Sequence, residues 1–411
     1  MKTDLHHRYA NRPEGQEAKV LIGACVHCGF CNATCPTYQE QSDERDGPRG
    51  RIYLIRQMLE EGKASGKTRV HFDRCLTCRA CETTCPSGVQ YGRLIDIGRG
   101  LVEEEDETRG VFSAGVRAVL RSFVPYPWRF GALLRLGQML RQVLPSPLRQ
   151  KVPQRQKRLD WPQARHSRRM IVLRGCVQVS ATPRTNAASA LVLDRLGVTL
   201  IEAQEAGCCG AASQHLSAHG EALDFARRNI DAWWPEIEAG AEAIVMTASG
   251  CGNTVKEYGY LLRHDLAYAE RAERISAMAR DISEVLLAED LTRLPKLKAA
   301  QDIAVHSPCS LQHAQKQPEA IDRIMQAIGA NLTETREKHL CCGSAGTYSI
   351  LQPDLSQRLL SRKLKALTFG QPEKIVTGNV GCQLHIATKA EVPVQHWIEL
   401  VLEAFEQADV S

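Results

Sequence analysis

The sequence lacks the features that would place it across a membrane, outside the cell or around a nucleotide. Nowhere do its 411 residues contain the roughly 18 consecutive apolar positions that a spanning helix needs. The first eleven residues are polar and lack the apolar core of a secretory signal. A glycine-rich dinucleotide fingerprint and a P-loop are also missing. These absences favour an intracellular protein without a flavin or nucleotide of its own.

Cysteine, in contrast, is abundant and regularly spaced. Eight of the sixteen cysteines lie between positions 25 and 85, and the other eight form two sets of four between positions 176 and 382. In a long intracellular chain, such spacing favours metal ligation over disulfides. Hydrophobic residues make up 43% and charged residues 24% of the chain, which is ordinary for a globular protein. The length suggests two to three domains.

Two cysteine runs, at 25–36 and 75–86, both read C-x2-C-x2-C-x3-C-P. In bacterial-type ferredoxins this run holds a 4Fe–4S cluster, and its fourth cysteine ligates the other cluster. Zinc is the alternative, but zinc sites usually pair two C-x2-C knuckles or add histidine. Two neighbouring clusters predict the passage of single electrons. The predicted ligands are Cys25, Cys28, Cys31 and Cys85 for one cluster, and Cys35, Cys75, Cys78 and Cys81 for the other.

Between the two runs, apolar residues three and four positions apart predict an amphipathic helix over 51–61 that ends at Gly62. Arg45, Arg49 and Arg51 precede or begin this helix. They could tune a cluster or steer an acidic partner, and a solvated face is at least as well supported. His27 and His71, near the cysteines, are expected to face solvent or to form hydrogen bonds.

A basic connector follows at 111–168. Thirteen Arg and Lys but only one acid, Asp160, lie between positions 111 and 170, so this window carries +12 while the rest of the chain carries −7. Prolines divide it into what we expect to be short amphipathic helices joined by bends. The basic and aromatic residues could contact an anionic membrane, a nucleic acid or an acidic subunit, and we favour the membrane.

The remaining sequence is a duplication. In each copy an apolar run leads to a cysteine, a Cys-Cys-Gly follows 32 residues later, and a third apolar run precedes a last cysteine. Strands alternating with helices predict a mostly parallel sheet in each copy, with the cysteines in loops at strand ends. The two sets are Cys176, Cys208, Cys209 and Cys251, then Cys309, Cys341, Cys342 and Cys382.

The duplicated region resembles the cysteine-rich CCG domain family of heterodisulfide reductase subunits and membrane-linked dehydrogenases. The full family repeat ends in C-x-x-C, and Ala248 and Asn379 stand where its first cysteine would be. This departure counts against the non-cubane cluster that acts on disulfides. Four cysteines per copy suffice for one ordinary cluster or metal ion. Such a site could be present in both copies, in one copy only, or in neither, in which case the thiols only pack in the interior. His306 and His385 are expected to form loop hydrogen bonds, with replacement ligation as the alternative.

Over its whole length the chain resembles the iron–sulfur subunits of bacterial glycolate oxidases, most closely at 23–38 and 47–54. The resemblance implies an α/β plus α+β fold. A helical di-cluster ferredoxin-like domain (1–110) would precede the connector (111–168), and two duplicated α/β CCG cysteine-rich domains (169–290 and 300–405) would follow. It also implies two 4Fe–4S clusters, with one or two further clusters as an open alternative.

The same resemblance implies an electron-transfer subunit with no catalytic residue of its own. FAD-containing partner subunits would oxidise glycolate or D-lactate to glyoxylate or pyruvate, and the electrons would pass towards membrane quinone. No nucleic acid partner is implied, and attachment would be peripheral, at the cytoplasmic face of the bacterial inner membrane. The alternatives are the equivalent subunit of an anaerobic glycerol-3-phosphate or lactate dehydrogenase, or a heterodisulfide-reductase-like enzyme.

Overall fold

A computed structural model describes residues 1–105 and 109–409. Within them the chain forms two compact units. The first contains Met1–Ala118, His215–Ser217 and His339–Lys363, and the second contains the rest. The predicted domain 1–110 includes residues 106–108, which lie outside the described residues.

The first unit begins with helices wrapped around the two ferredoxin-like runs. Its core contains Ile22, Ile55, Leu59, Phe72 and Leu94, all almost fully buried. Proline occupies the first turn of three of the helices, where its missing N–H is not needed. The helices are α1 (His7–Ala10), α2 (Pro13–Gly23), α3 (Phe30–Ala33), α4 (Pro36–Gln41), α5 (Pro48–Glu61), α6 (Gly66–Asp73), α7 (Ala80–Thr84) and α8 (Tyr91–Glu105).

Helix α5 is the helix that the sequence predicts over 51–61. It ends as expected, because Gly62 adopts the left-handed conformation with φ +74°. It begins three residues earlier than predicted, at Pro48, whose fixed φ suits the first helical turn.

The connector forms three short helices, followed by a stretch without regular secondary structure to residue 167. The helices confirm the prediction of short helices joined by bends. The helices are α9 (Val111–Phe123), α10 (Pro127–Met139) and α11 (Ser146–Lys151). Several of its arginines are not available as a free basic surface. Arg117 is buried and pairs with Asp73 at 2.9 Å, and Arg121 pairs with Glu221 at 2.9 Å. No helix among the described residues has the length and apolarity to cross a bilayer.

The first cysteine-rich repeat is a four-stranded parallel sheet flanked by helices. Its strand order is β2-β1-β3-β4, with β1 (Arg168–Val172), β2 (Val198–Glu202), β3 (Ile244–Met246) and β4 (Ala279–Asp281). Its helices are α12 (Gln178–Ala181), α13 (Arg184–Arg195), α14 (Ala211–His215), α15 (His219–Glu238), α16 (Ser249–Lys256), α17 (Tyr258–Leu261), α18 (Ala269–Met278) and α19 (Ile282–Ala288).

The second repeat has the same topology, with strand order β6-β5-β7-β8. The strands are β5 (Asp302–His306), β6 (Asn331–Leu332), β7 (Lys374–Thr377) and β8 (Val394–His396). The helices are α20 (Ala320–Ala327), α21 (Tyr348–Leu351), α22 (Pro353–Leu367), α23 (Val380–Ala387) and α24 (Trp397–Asp409). The two parallel sheets confirm the predicted duplication.

Inside the second unit, the two sheets share one hydrophobic core. Val172 and Val245 of the first sheet belong to the same buried cluster as Val376 and Trp397 of the second repeat. A hydrogen bond from His396 Nε2 to the Thr247 carbonyl, 2.9 Å long, also joins them. Each repeat therefore depends on the other for part of its buried apolar surface.

Inside the first unit, the segment 339–363 packs against the ferredoxin-like helices. The Tyr348 hydroxyl donates to the Arg74 carbonyl at 3.0 Å, and Arg358 and Arg362 lie 3.9 and 3.5 Å from Glu40 carboxylate oxygens. This segment contains Cys341 and Cys342. The chain thus brings the Cys-Cys pair of the second repeat into the compact unit that contains both ferredoxin-like runs.

Candidate metal centres

The first ferredoxin-like run surrounds a cavity in the first unit. Cys25 and Cys28 lie in the loop between α2 and α3, Cys31 lies in α3, and Cys85 follows α7. All four line a cavity with about 430 Å³ of space not filled by protein atoms. His27 and Gly29 have φ of +59° and +86°, so the loop curls and its thiols line the same side.

The second run repeats this geometry. Cys35, Cys75, Cys78 and Cys81 line a cavity with about 340 Å³ of space not filled by protein atoms. Thr77 and Arg79 occupy the positions of His27 and Gly29, and their φ values are +53° and +60°. Non-glycine residues held in this region cost about 1–3 kcal/mol each, a strain that is often found at functional sites.

Each predicted set of four thiols therefore lies around one cavity. The fourth cysteine of each run, Cys85 or Cys35, reaches the cavity of its own predicted set. None of the sixteen cysteines is in a disulfide in the described structure. Four thiols around one cavity fit the demand of a 4Fe–4S cluster for four cysteine ligands. The assignment of individual ligands stays a prediction.

The two cavities share a thin wall, because Cys81, Tyr91 and Pro48 line both. Their electrostatic surroundings differ. Burial raises the pKa of Cys31, beside the first cavity, to about 11. Burial also raises the pKa of Cys81 well above its usual range. Cys75 is the exception: burial would raise its pKa, but the nearby charges of Arg51 and Arg99 lower it below the usual value.

Arg51 is the centre of a buried polar network beside the second cavity. Its side chain is 0% exposed, donates to the His71 carbonyl at 2.7 Å and lies 3.4 Å from an Asp46 carboxylate oxygen. Both of its terminal nitrogens donate to the Thr37 hydroxyl. The expectation of a solvated face is therefore wrong for Arg51, because three neighbouring acceptors replace water.

The expectation of a solvated face fits Arg45 and Arg49 better than Arg51. Arg45 is exposed and pairs with Asp43 at 2.7 Å, and Arg49 is partly exposed and pairs with Glu44 at 2.6 Å. His71 forms a hydrogen bond as predicted, through Nδ1 to the Asp46 carboxylate at 2.9 Å.

In the first repeat, four thiols converge at the carboxyl ends of three strands. Cys176 follows β1, Cys208 and Cys209 follow β2, and Cys251 lies in α16 after β3. Hydrogen bonds with the Cys176 and Cys209 thiols, together with burial, raise the pKa of Cys208 well above its usual range. A hydrogen bond with Cys209 raises the pKa of Cys251 in the same way. The set is sufficient for one cluster or one metal ion.

Gly210 closes the Cys-Cys-Gly turn of the first repeat. Its φ is +90°, its N–H lies 3.4 Å from Cys208 Sγ, and a Cβ at this position would lie 2.9 Å from the Ala222 carbonyl oxygen. Gly343 has the same role in the second repeat, with φ +87° and its N–H 3.5 Å from Cys341 Sγ. Glycine is required here because a side chain would meet backbone.

The cysteines of the second repeat are distributed over both units. Cys341 and Cys342 are buried in the first unit, whereas Cys309 and Cys382 belong to the second. Asn379, at the position of the missing family cysteine, directly precedes α23 and donates through Nδ2 to Cys382 Sγ at 3.5 Å. His306 ends strand β5 and His385 lies in α23, and both are buried, so the expectation that they lie in loops is wrong.

The sequence is 50% identical to the glycolate oxidase iron–sulfur subunit of Escherichia coli, over 99% of this chain and 100% of that protein. The chain belongs to this family. It is also 30% identical to a probable glycolate oxidase iron–sulfur subunit of Bacillus subtilis, over 92% of this chain and 93% of the relative.

Two domain families match separate parts of this family member. Residues 22–89 match the 4Fe-4S dicluster domain, and residues 170–256 and 303–387 match the cysteine-rich domain. The chain is therefore an iron–sulfur protein. The crystal structure of a hypothetical protein from Helicobacter pylori has the same fold, with a TM-score of 0.54, 11% identity, and 97% of this chain and 73% of that chain covered.

Apart from the cysteines, two structural features have only weak signals in the sequence. The short strands β4 and β8 contain charged or polar residues and no apolar run, so they were not predicted. The buried network of Arg51 lies within the Gly-Pro-Arg-Gly-Arg segment at 47–51, whose polar composition favours the surface. Only the contacts of the folded chain reveal its burial.

Proposed function

We propose that this chain is the electron-transfer subunit of a glycolate oxidase complex, relaying electrons from a partner FAD subunit towards membrane quinone. Two 4Fe–4S clusters would supply one-electron carriers. The residues of the chain would set their spacing, burial and charge. The observation that carries this proposal is the thin wall of Cys81, Tyr91 and Pro48 between the two cavities.

The substrate would be oxidised on the partner. Oxidation of glycolate to glyoxylate, or of D-lactate to pyruvate, removes two electrons as a pair, whereas 4Fe–4S clusters accept one at a time. The partner flavin would accept the two electrons together and pass them on one at a time. This chain has no dinucleotide fingerprint, which agrees with a flavin on another subunit.

The partner would exchange electrons at the first cavity, which is the more exposed of the two. Cys28 is exposed, and beside it Val26 and Phe30 are 68% and 61% exposed. Exposed apolar side chains around a redox site are suited to a small, transient interface. The second cavity, which has buried Cys35, Cys75 and Cys81, would then receive electrons from the first.

The cysteine-rich repeats would extend the relay. Tyr348 supports this proposal, because its pKa is raised by burial and then by the nearby charges of Cys75 and Cys341, all inside the first unit. Cys341 of the second repeat would therefore lie near the second ferredoxin-like cavity, inside the same unit. The four converging thiols of the first repeat would offer a further site.

We infer that the subunit attaches to the membrane through the outer face of α10. Gly131 packs this helix against Ser180 of α12, and the opposite side exposes Leu133 and Leu136. Arg129 lies on that opposite side too, and Arg135 is exposed on the flank of the helix. An apolar stripe with arginines fits an anionic lipid surface, where each cation near the surface contributes about 1 kcal/mol.

A charge-matched pair of variants tests this attachment. Arg129→Gln with Arg135→Gln should release the complex from anionic vesicles at lower salt and reduce quinone-linked turnover, while dye-linked turnover persists. The control is Arg263→Gln with Arg280→Gln, which removes two exposed arginines elsewhere in the second unit. Equal vesicle binding by both variants would mean that α10 does not contact the membrane.

The ligand sets are tested by exchanging single cysteines. Cys85→Ser should damage the cluster of Cys25, Cys28 and Cys31, although Cys85 is in the other run. Anaerobic iron analysis and resolved electron paramagnetic resonance (EPR) spectra report which cluster is lost. Cys251→Ser is the control and should leave both ferredoxin-type signals unchanged. Loss of the second cluster's signal in Cys85→Ser would refute the proposed exchange of fourth ligands.

A further inference from the structure

The second ferredoxin-like cavity has two buried guanidinium groups beside it. Arg51 is fully buried, and its contact with the Thr37 hydroxyl brings its charge close to Cys35, whose Sγ lies 3.3 Å from the same hydroxyl. Asp46 offsets part of this charge, but Asp46 also pairs with Arg74 at 2.8 Å. The network therefore keeps a net positive charge on this side of the cavity.

Arg99 adds a second positive charge. It is 9% exposed and donates to the Cys75 carbonyl at 2.5 Å, the Phe72 carbonyl at 2.9 Å and the Thr77 hydroxyl at 2.8 Å. All three acceptors are neutral, and no carboxylate in the described part of the chain forms an ion pair with Arg99. Its charge therefore acts on the surroundings of Cys75 without local compensation.

The first cavity has no equivalent group in its described lining. Arg49 is the only arginine that lines it, is partly exposed and is paired with Glu44 at 2.6 Å. Solvent and the carboxylate both reduce its effect on the cavity. The two cavities therefore have similar cysteine geometry but different electrostatic surroundings.

We propose that Arg51 and Arg99 give the cluster of Cys35, Cys75, Cys78 and Cys81 the higher reduction potential of the two. A reduced cluster carries one more negative charge than an oxidised one, so a nearby buried cation stabilises the reduced form. An electron that enters at the exposed first cavity then moves downhill to the second. This inference rests on the proposed ligand sets and adds the direction of transfer.

The test is an EPR-monitored redox titration of the anaerobically purified holo-protein, with Cys28→Ser used to assign the couple of the first cavity. Arg99→Met should lower the higher of the two potentials. The expected fall in this potential is at least about 59 mV, which for a one-electron couple is a tenfold change in how the electron is distributed between the two clusters. Arg99→Lys should keep most of the native potential. Arg12→Met removes a surface arginine that lines neither cavity and should change neither couple.

Glu44→Gln provides a second, opposite test that leaves the buried network intact. It frees the charge of Arg49 beside the first cavity and should raise the lower potential, so the two couples approach each other. This variant decides the question if Arg99→Met does not retain its iron. The inference would be overturned if Arg99→Met with full iron content left both potentials unchanged or shifted the lower potential instead. It would also be overturned if Arg99→Lys lowered the higher potential as much as Arg99→Met does. Wrong ligand sets would be recognised separately, by the iron and spectra of the cysteine variants.

Discussion

His396 links the two sheets of the second unit and should make that unit sensitive to acid. Its Nε2 donates to the Thr247 carbonyl at 2.9 Å, and its Nδ1 accepts from the Ile398 N–H at 3.2 Å. Both ring nitrogens are therefore satisfied in the neutral form. A proton on Nδ1 would point at the Ile398 N–H, so the folded protein disfavours the charged ring.

The size of this stability loss follows from the pKa of His396 in the folded and in the unfolded chain. Burial lowers the pKa of His396 to about 3, whereas an exposed histidine in the unfolded chain titrates near 6.5. Between these values the unfolded state binds more protons, so stability falls as pH falls through 6.5 and continues to fall towards 3. At about 1.4 kcal/mol per pH unit, this residue alone should cost about 2 kcal/mol between neutral pH and pH 5.

Urea unfolding at pH 7 and pH 5, followed by tryptophan fluorescence, measures this cost, because buried Trp397 lies beside the ring with centroids 5.5 Å apart. The neutral variant His396→Gln should be less stable than the native chain at pH 7 but lose about 2 kcal/mol less on acidification. The control His264→Gln replaces an exposed histidine and should retain the native pH dependence. An unchanged pH dependence in His396→Gln would refute the argument.

Three further perturbations have expected outcomes. Burial raises the pKa of Asp281 to about 6, so the free energy of unfolding of the native chain falls as pH rises through 6. Asp281→Asn lacks this loss, so between pH 4 and pH 8 its free energy of unfolding should improve by about 2 kcal/mol relative to the native chain in urea titrations. Gly210→Ala should lower the melting temperature and the metal content of the first repeat, because its Cβ would meet the Ala222 carbonyl, whereas Gly220→Ala, with open space around it, should not. Ile55→Ala should destabilise the first unit by about 2–5 kcal/mol in thermal unfolding, since Ile55 is fully buried in its core.

The parts of the fold that the sequence predicts are those with local signals. The cysteine runs, helix α5 with its glycine end and the alternating strands of the repeats all depend on spacing within a few residues. The strands β4 and β8 have no such signal, because a three-residue strand at the edge of a sheet gains its stability from pairing with β3 or β7.

The site residues show the same division. The short loop of each run fixes its first three cysteines around one cavity, and the ferredoxin-type spacing predicts that the fourth reaches the other cavity. The burial of Arg51 and Arg99 is not predictable from their neighbours in the chain, since it depends on acceptors such as the His71 and Cys75 carbonyls, which are 20 and 24 residues away. In the connector, the sequence likewise did not reveal that Arg117 is buried and pairs with Asp73 inside the first unit.

In the proposed function, this chain receives electrons from a partner that oxidises glycolate. The direct measurement is EPR spectroscopy of the anaerobic complex, frozen at intervals after glycolate is added, with the isolated subunit as the control. We predict that reduced 4Fe–4S signals develop in the complex and that the isolated subunit stays oxidised until dithionite is added. Clusters that stay oxidised in a complex that is forming glyoxylate, or reduction of the isolated subunit by glycolate alone, would contradict the account.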